Sequence, residues 1–523
     1  MLLFTTQSNK SLGALANNSV NRELDDSKQT LVSRRAVLQV ATGAVAAMFP
    51  IFRSSPIEAA APSRDLLSNS VVSLASAIRR RKVSSVEVVD AYLRRAEALN
   101  PILNAVVQLN ATAARAAAAA ADRALRHRDN VGPLHGVPFT VKDSFDTAGI
   151  ITTAGTSGRR SYVPLRDATP VARLRAAGAI LLGKTNTPEL TLSYETDNLI
   201  YGRTNNPYDL SRTTGGSSGG AAAAIAAGCS PLDIASDTGG SIRVPSHFCG
   251  IAGLKPTSGR IPRTGHIISS EGVFQSFTQP GPMARRVEDL IKVFPILAGP
   301  DQIDPWIVPV PVRKPNAVAL RSLRVVVHGD NGIRSPDTWC IRSVTNAAKA
   351  LKAVGCRVEE FRPSDLAVTY ELGNRLWRAA GSATVRRLLE ASGTTEVSPP
   401  LRLWLNAPAN PPEDWTALLE QFDHARRRML ALFDRCDAIL CPPCAYVAFE
   451  HGATQREDLD SGFSYSEVFN YLGWPAAVVR CGETDKGLPV GVQIVSRPWR
   501  EDIVLALALE LERAFGGWQP PSI

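Results

Sequence analysis

The sequence predicts an α/β fold: a mixed, mainly parallel β-sheet covered on both faces by helices, within a single large domain. Two helix-then-strand units carry this reading. One is Val171 to Ala177 with Gly178 as a stop, then Ala179 to Leu182; the other is Val344 to Ala353, Gly355, then Cys356 to Phe361. The apolar run Leu323 to His328 precedes the second unit and completes a β-α-β pattern, which sets parallel strands beneath helices.

The remaining elements follow in chain order. Ser84-Ser85-Val86-Glu87 is a capping box, and Val86, Val89, Leu93, Ala96 and Leu99 then recur at helical spacing, so a helix is expected from Ser84 to Pro101. An alanine-dense helix fits Ala111 to Leu125. Gly132 and Pro133 then turn the chain into a short strand, Val137 to Val141. The proline-rich stretch Gly299 to Pro315 reads as a surface crossing inside one fold, because strand-like segments continue on both sides, including Leu488 to Val495.

A chain of 523 residues, 44% hydrophobic, has the composition of an ordinary globular protein. Its formal charge is +9, of which the first 61 residues contribute +2. The basic runs Arg79 to Lys82 and Arg426 to Arg428 lie in helical stretches with few aromatics and read as solvated faces, so no nucleic-acid partner is expected. Eight cysteines in this length form neither a disulfide scaffold nor a zinc pattern. The one C-x-x-C pair, Cys441 and Cys444, encloses two prolines and reads as a strand-ending turn.

Ser33-Arg34-Arg35 precedes a weakly hydrophobic run, Val37 to Phe52, and then the small residues Ala59 to Ala61. This is the pattern of a twin-arginine export signal. The run is shorter than the ~20 apolar residues of a membrane span, which makes an uncleaved N-terminal anchor the second choice. Residues 1–61 are thus expected to be a signal and leader, and 62–523 the single folded domain of an exported, periplasmic or extracellular protein.

The densest chemistry lies between Gly215 and Gly259. Gly215-Gly216-Ser217-Ser218-Gly219-Gly220 is followed by Asp237-Thr238-Gly239-Gly240-Ser241-Ile242-Arg243. Such glycines let backbone amides approach a ligand, and four successive amides, Thr238 to Ser241, can converge on one oxygen as an oxyanion hole. A flexible surface loop has the same composition. A serine nucleophile needs a base, and no histidine partner is evident nearby. A lysine serves if burial lowers its pKa from ~10.4. Lys142 directly follows the apolar segment Val137 to Val141 and precedes a partner carboxylate, Asp143. By itself it reads more readily as a salt-bridged surface lysine, the commoner fate of any lysine.

His135 to Asp143 (H-G-V-P-F-T-V-K-D), Gly183 to Glu189 (G-K-T-N-T-P-E), G-G-S-S-G-G and D-T-G-G-S-I-R-V-P together resemble the amidase signature family. The resemblance runs from about Ser70 to Pro520 and takes in Phe469 to Ala476 and Gly487 to Val495. It implies the amidase signature fold and a hydrolase of carbon–nitrogen bonds other than peptide bonds. The site it implies has Lys142 as base, Ser217 as bridge after a cis peptide, Ser241 as nucleophile, and Thr238, Gly239 and Gly240 as oxyanion donors. Thr191, Leu192 and Tyr194 would line the pocket. Asp237 and Arg243 would hold the loop, and Ser218 would support the relay. Asp197-Asn198 and Tyr201 to Tyr208 resemble the fatty acid amide hydrolase-like branch and point toward an apolar acyl group. No cofactor or metal is implied. The expected partner is a small-molecule amide, with no stable membrane span and with a homodimer left open.

Three rivals share these letters. Gly178 to Thr185 has the spacing of a phosphate-binding loop, but its middle is apolar and strand-like and Pro188 interrupts the helix such a loop needs. Gly216 to Gly220 matches the nucleophile elbow of an α/β-hydrolase esterase, with Ser218 served by His424 or His451, but Asn205 to Thr214 is no buried strand. Within the family, the glutaminase component of a tRNA-dependent amidotransferase is the alternative, and export argues against it.

Overall fold

A computed structural model describes residues 64–127, 129–268, 272–406, 414–456 and 458–523. The export signal expected over 33–61 and the junction at 62 lie outside the described residues. Eleven strands form one sheet: β1 (Val106–Leu109), β2 (Pro138–Lys142), β3 (Ile180–Thr185), β4 (Leu232–Asp237), β5 (Ala252–Lys255), β6 (Gln279–Ala284), β7 (Arg324–Val327), β8 (Arg357–Glu360), β9 (Ala438–Cys441), β10 (Ala476–Glu483) and β11 (Pro489–Ser496). Their spatial order is β1-β3-β2-β4-β6-β5-β10-β11-β9-β7-β8. The sheet is mixed, as expected. Parallel pairing forms two blocks, β3-β2-β4 and β9-β7-β8, and the strands between and outside them pair antiparallel.

Alternation along the strands explains why both faces carry helices. On β9, Ala438 and Leu440 join one core with Val88, Val344 and Leu507 of the helices Ser85–Leu103, Thr338–Ala353 and Glu501–Phe515. Ile439 and Cys441 point the other way and pack with Val468 and Phe469 of the helix Ser464–Tyr471. On β4, Leu232 and Ile234 face the first core, while Ala235 meets Ala221 and Ile225 of the helix Gly219–Ala226.

The capping box forms: Ser84 Oγ accepts from the Glu87 amide at 3.1 Å, and Glu87 Oε2 accepts from the Ser84 amide at 2.7 Å. Pro101 does not end this helix, which runs Ser85–Leu103. The stop comes later because Asn104 turns left-handed and Asn100 Oδ1 accepts the amides of Ala105 and Val106 at 2.9 and 2.8 Å. A proline so near the end sacrifices only one late hydrogen bond. The stretch 299–315 crosses the surface as expected, pinned by the Asp304–Arg263 ion pair at 3.1 Å. Arg79–Lys82 and Arg426–Arg428 are exposed. Among the described residues no helix is long and apolar enough to cross a membrane.

Candidate active site

β2 and β4 are parallel neighbours, so their C-terminal ends lie at one edge. The helix Gly219–Ala226 is the crossover leading into β4 and therefore begins at that same edge. Topology alone thus gathers Lys142 at the end of β2, Asp237 at the end of β4, and Ser217 just ahead of the helix.

Lys142 is fully buried. Its Nζ lies 2.6 Å from Ser217 Oγ and 3.2 Å from Ser236 Oγ, and no carboxylate pairs with it among the described residues. Burial lowers its pKa to about 7, against the opposing pull of Asp237 and Asp233. The carboxylate expected as its partner, Asp143, goes elsewhere. Asp143 accepts from the Thr153 amide and hydroxyl at 3.0 and 2.5 Å and faces Lys184 Nζ at 3.8 Å, because consecutive residues leaving a strand point to opposite sides.

The Gly216-Ser217 bond is cis. Ser218 ties the two glycine-rich segments together: its amide donates to Ser241 O at 3.1 Å and its hydroxyl to Ser236 O at 3.3 Å. Asp237 and Arg243 form the frame of the second segment. Asp237 accepts from the amides of Gly240 (2.8 Å) and Ile242 (3.0 Å) and pairs with Arg243 at 2.8 Å, both side chains being wholly buried. Arg243 in turn donates to Ser466 O, to Gln493 Oε1 and to Asn470 Oδ1. Burial by itself would raise the Asp237 carboxyl; the Arg243 guanidinium outweighs it and holds the group well below the usual carboxylate range. Replacing Arg243 with methionine leaves that charge buried and unpaired, so a loss of about 3–5 kcal/mol is expected in urea unfolding.

The donor set read from the sequence needs one correction. The Gly240 amide is committed to Asp237, so Gly240 contributes shape: its φ is +124°, and a Cβ there would lie 2.8 Å from Ser466 Cβ. The amides of Thr238, Gly239 and Ser241 make no hydrogen bond within the described residues. Those three residues line a cleft of about 420 Å³ together with Thr191, Leu192 and Tyr194. Tyr194 OH lies 3.0 Å from Gly239 O and 2.7 Å from Glu467 Oε1, and burial raises the Glu467 carboxyl to about 8.

Tyr370, Asn374 and Trp377 of the helix Leu366–Ala391, with Glu467 and Tyr471 of Ser464–Tyr471, complete the walls. Sequence reasoning gave none of these five a role, nor Ser236 and His266 behind Lys142. Asn470 and Gln493 lay inside motifs already noted, which was the available signal for the Arg243 frame.

The rival readings lose their geometry. Gly178 to Thr185 runs into strand β3, with Lys184 buried and bonded to Thr147 and Thr152 hydroxyls. His451 meets Leu210 O and His424 is exposed beside Arg427, so neither serves Ser218. Cys441 ends β9, and burial pushes the Cys441 and Cys444 thiols up to about 12, which suits the strand-ending turn.

The family model described as Amidase matches residues 87–505. The chain is 34% identical over 492 residues to fatty-acid amide hydrolase 2-B of Danio rerio, covering 88% of this chain and 91% of that one. It is 35% identical over 467 residues to a glutamyl-tRNA(Gln) amidotransferase chain of Roseiflexus sp. (strain RS-1), with 84% and 94% covered. The solved structure of 6-aminohexanoate cyclic dimer hydrolase complexed with substrate superposes with a TM-score of 0.77 at 28% identity, over 88% of this chain and 99% of that one. On these grounds the chain belongs to the amidase family and is a hydrolase of carbon–nitrogen bonds other than peptide bonds.

Proposed function

We propose that the protein is an exported serine amidase that cleaves a carboxylic amide through an acyl-enzyme on Ser241. The observation that carries this reading is a fully buried amine, Lys142, held 2.6 Å from a serine hydroxyl with no carboxylate paired to it among the described residues. A buried lysine without a counterion favours its neutral form and so has a lone pair to accept a proton.

In the first half-reaction Lys142 Nζ takes the Ser217 proton and Ser217 Oγ takes that of Ser241. Ser241 Oγ then bonds to the amide carbon, and the amides of Thr238, Gly239 and Ser241 stabilise the oxyanion. The C–N bond breaks as the proton returns through Ser217 to the leaving nitrogen, releasing ammonia or an amine. Water repeats the attack on the ester: one of its protons passes through Ser217 to restore the Ser241 hydroxyl as the ester C–O bond breaks, and the acid released loses the other to solvent and leaves as the carboxylate. Asp237, Arg243 and Ser218 hold the segment on which this happens.

The cleft also supports a reading of the substrate. Tyr194, Tyr370, Trp377 and Tyr471 give it flat aromatic walls, and Asn374 and Glu467 add polar groups. These suit a compact aromatic or hydrogen-bonding acyl group better than a long alkyl chain, which qualifies the apolar acyl group expected from the sequence. Ammonia release from acetamide, benzamide, a long-chain fatty amide and glutamine tests this. Benzamide is expected to give the highest kcat/KM, by about tenfold over the fatty amide, the factor that about 1.4 kcal/mol of ring packing against the aromatic walls would supply. A preference for the fatty amide overturns the substrate reading, and activity confined to glutamine would select the amidotransferase alternative. Export is tested separately, by replacing Arg34 and Arg35 with lysines and following secretion of the full chain.

A further inference from the structure

We propose that His266 is a positioning residue for Lys142, acting through Ser236. The proposal rests on Lys142 being the base. Three contacts form a chain behind the amine: Lys142 Nζ to Ser236 Oγ at 3.2 Å, Ser236 Oγ to His266 Nε2 at 2.9 Å, and His266 Nδ1 to the main chain of Ile268, whose N and O both lie at 3.1 Å. The imidazole is buried and packs on the Phe145 ring with centroids 4.6 Å apart. Both nitrogens are engaged, so the ring has no freedom to turn away.

Proton counting gives this chain a purpose. A neutral lysine has two N–H bonds and one lone pair, and the lone pair must be left to Ser217. Ser236 is harmless to it only if Ser236 accepts an N–H and sends its own proton elsewhere. Ile268 offers Nδ1 both its amide and its carbonyl, so the two tautomers differ in effect. With the hydrogen on Nδ1, given to Ile268 O, Nε2 receives the Ser236 proton, whereas a ring whose Nδ1 accepts the Ile268 amide would donate from Nε2 and turn the Ser236 proton onto Lys142; the proposal takes the first. Without that acceptor, the Ser236 hydroxyl is free to turn on the Lys142 lone pair and compete with Ser217.

The surrounding charges keep the ring neutral. His266 faces Lys142 and Arg263, and burial, reinforced by both, lowers its pKa to about 3. Lys142 in turn faces Asp233 and Asp237 on β4, with Asp237 committed to Arg243. No proton joins the ring across the working range, so His266 acts by orientation.

The test is kcat, KM and the pH profile of benzamide hydrolysis for His266→Phe, Ser236→Ala, Ser236→Thr and the double variant His266→Phe/Ser236→Ala, in the full chain. His266→Phe and Ser236→Ala are each expected to lower kcat about 10- to 100-fold with KM little changed. Both should move the acid limb of kcat/KM to lower pH, since each removes an acceptor that favours the ammonium form or frees a donor that favours the amine. Ser236→Thr should restore wild-type behaviour, and the double variant should be no worse than Ser236→Ala. Multiplying effects in the double variant, or a lower kcat with an unmoved limb, would overturn the proposal. If His266→Phe fails to fold, the Ser236→Ala and Ser236→Thr pair decides by the same limb. Near-wild-type activity in Lys142→Met, or a residual activity that keeps the acid limb, would instead sink the base assignment.

Discussion

Ser241→Ala is expected to lower kcat for amide hydrolysis by about 10⁵- to 10⁶-fold, the scale set by removing the nucleophile of a catalytic unit. The reason is chemical and local. Ser241 lines the cleft beside the free amides of Thr238 and Gly239, and its side chain makes no hydrogen bond to the described protein. Its hydroxyl therefore contributes little to the fold, and the thermal midpoint should stay within a few degrees of wild type. Residual activity should be the same for Ser241→Ala alone and for Ser241→Ala combined with Ser217→Ala, because a relay without its nucleophile has nothing to deprotonate.

Lys142→Met carries the second large effect. Methionine fills much of the same volume but has no lone pair, so kcat should fall about 10³- to 10⁴-fold, near the upper range for a lost general base. The pH dependence has a definite sign. Lys142 titrates near 7, and below that it is an ammonium ion with no lone pair to take the Ser217 proton. Wild-type kcat/KM should therefore fall about tenfold per pH unit as the pH drops below 7, and level off above it. The residual activity of Lys142→Met should lack that limb. The substitution also removes a buried polar group, so the variant should fold at least as well as wild type.

How much of this was legible in the sequence depends on how local each signal was. Ser217 and Ser241 each stand in a short motif of glycines, serines and small residues, Lys142 follows the apolar run Val137 to Val141, and within the parallel block β3-β2-β4 that unites them β3 announces itself through a helix-then-strand unit. β6 does not. Its residues, Q-P-G-P-M-A, read as a turn, and it holds its place because β4 pairs along its whole length while β5 engages only Met283 and Ala284. The helix Leu366–Ala391 was likewise unread. Gly373 weakens a helical pattern, yet it is needed there: a Cβ would lie 2.1 Å from the Tyr471 ring.

The site divides along the same line. Asp237 and Arg243 share one motif, so their frame was visible, but the Gly240 amide could be assigned to Asp237 only in three dimensions. His266 stands in R-T-G-H-I-I, with no periodicity and no neighbouring partner to mark it. It reaches Lys142 only because the bridge between Phe145 and His266 lays that loop against the residues that follow β2. Glu467 is hidden for the same reason, its partner Tyr194 lying far back in the chain.

The most direct test is to trap the acyl-enzyme. Rapid acid quenching during turnover of an anilide substrate, followed by peptide mass mapping, should place the acyl mass on the peptide containing Ser241 and find none in Ser241→Ala. An acyl group on Ser218 instead, or turnover with no covalent acyl group at any time, would contradict the account.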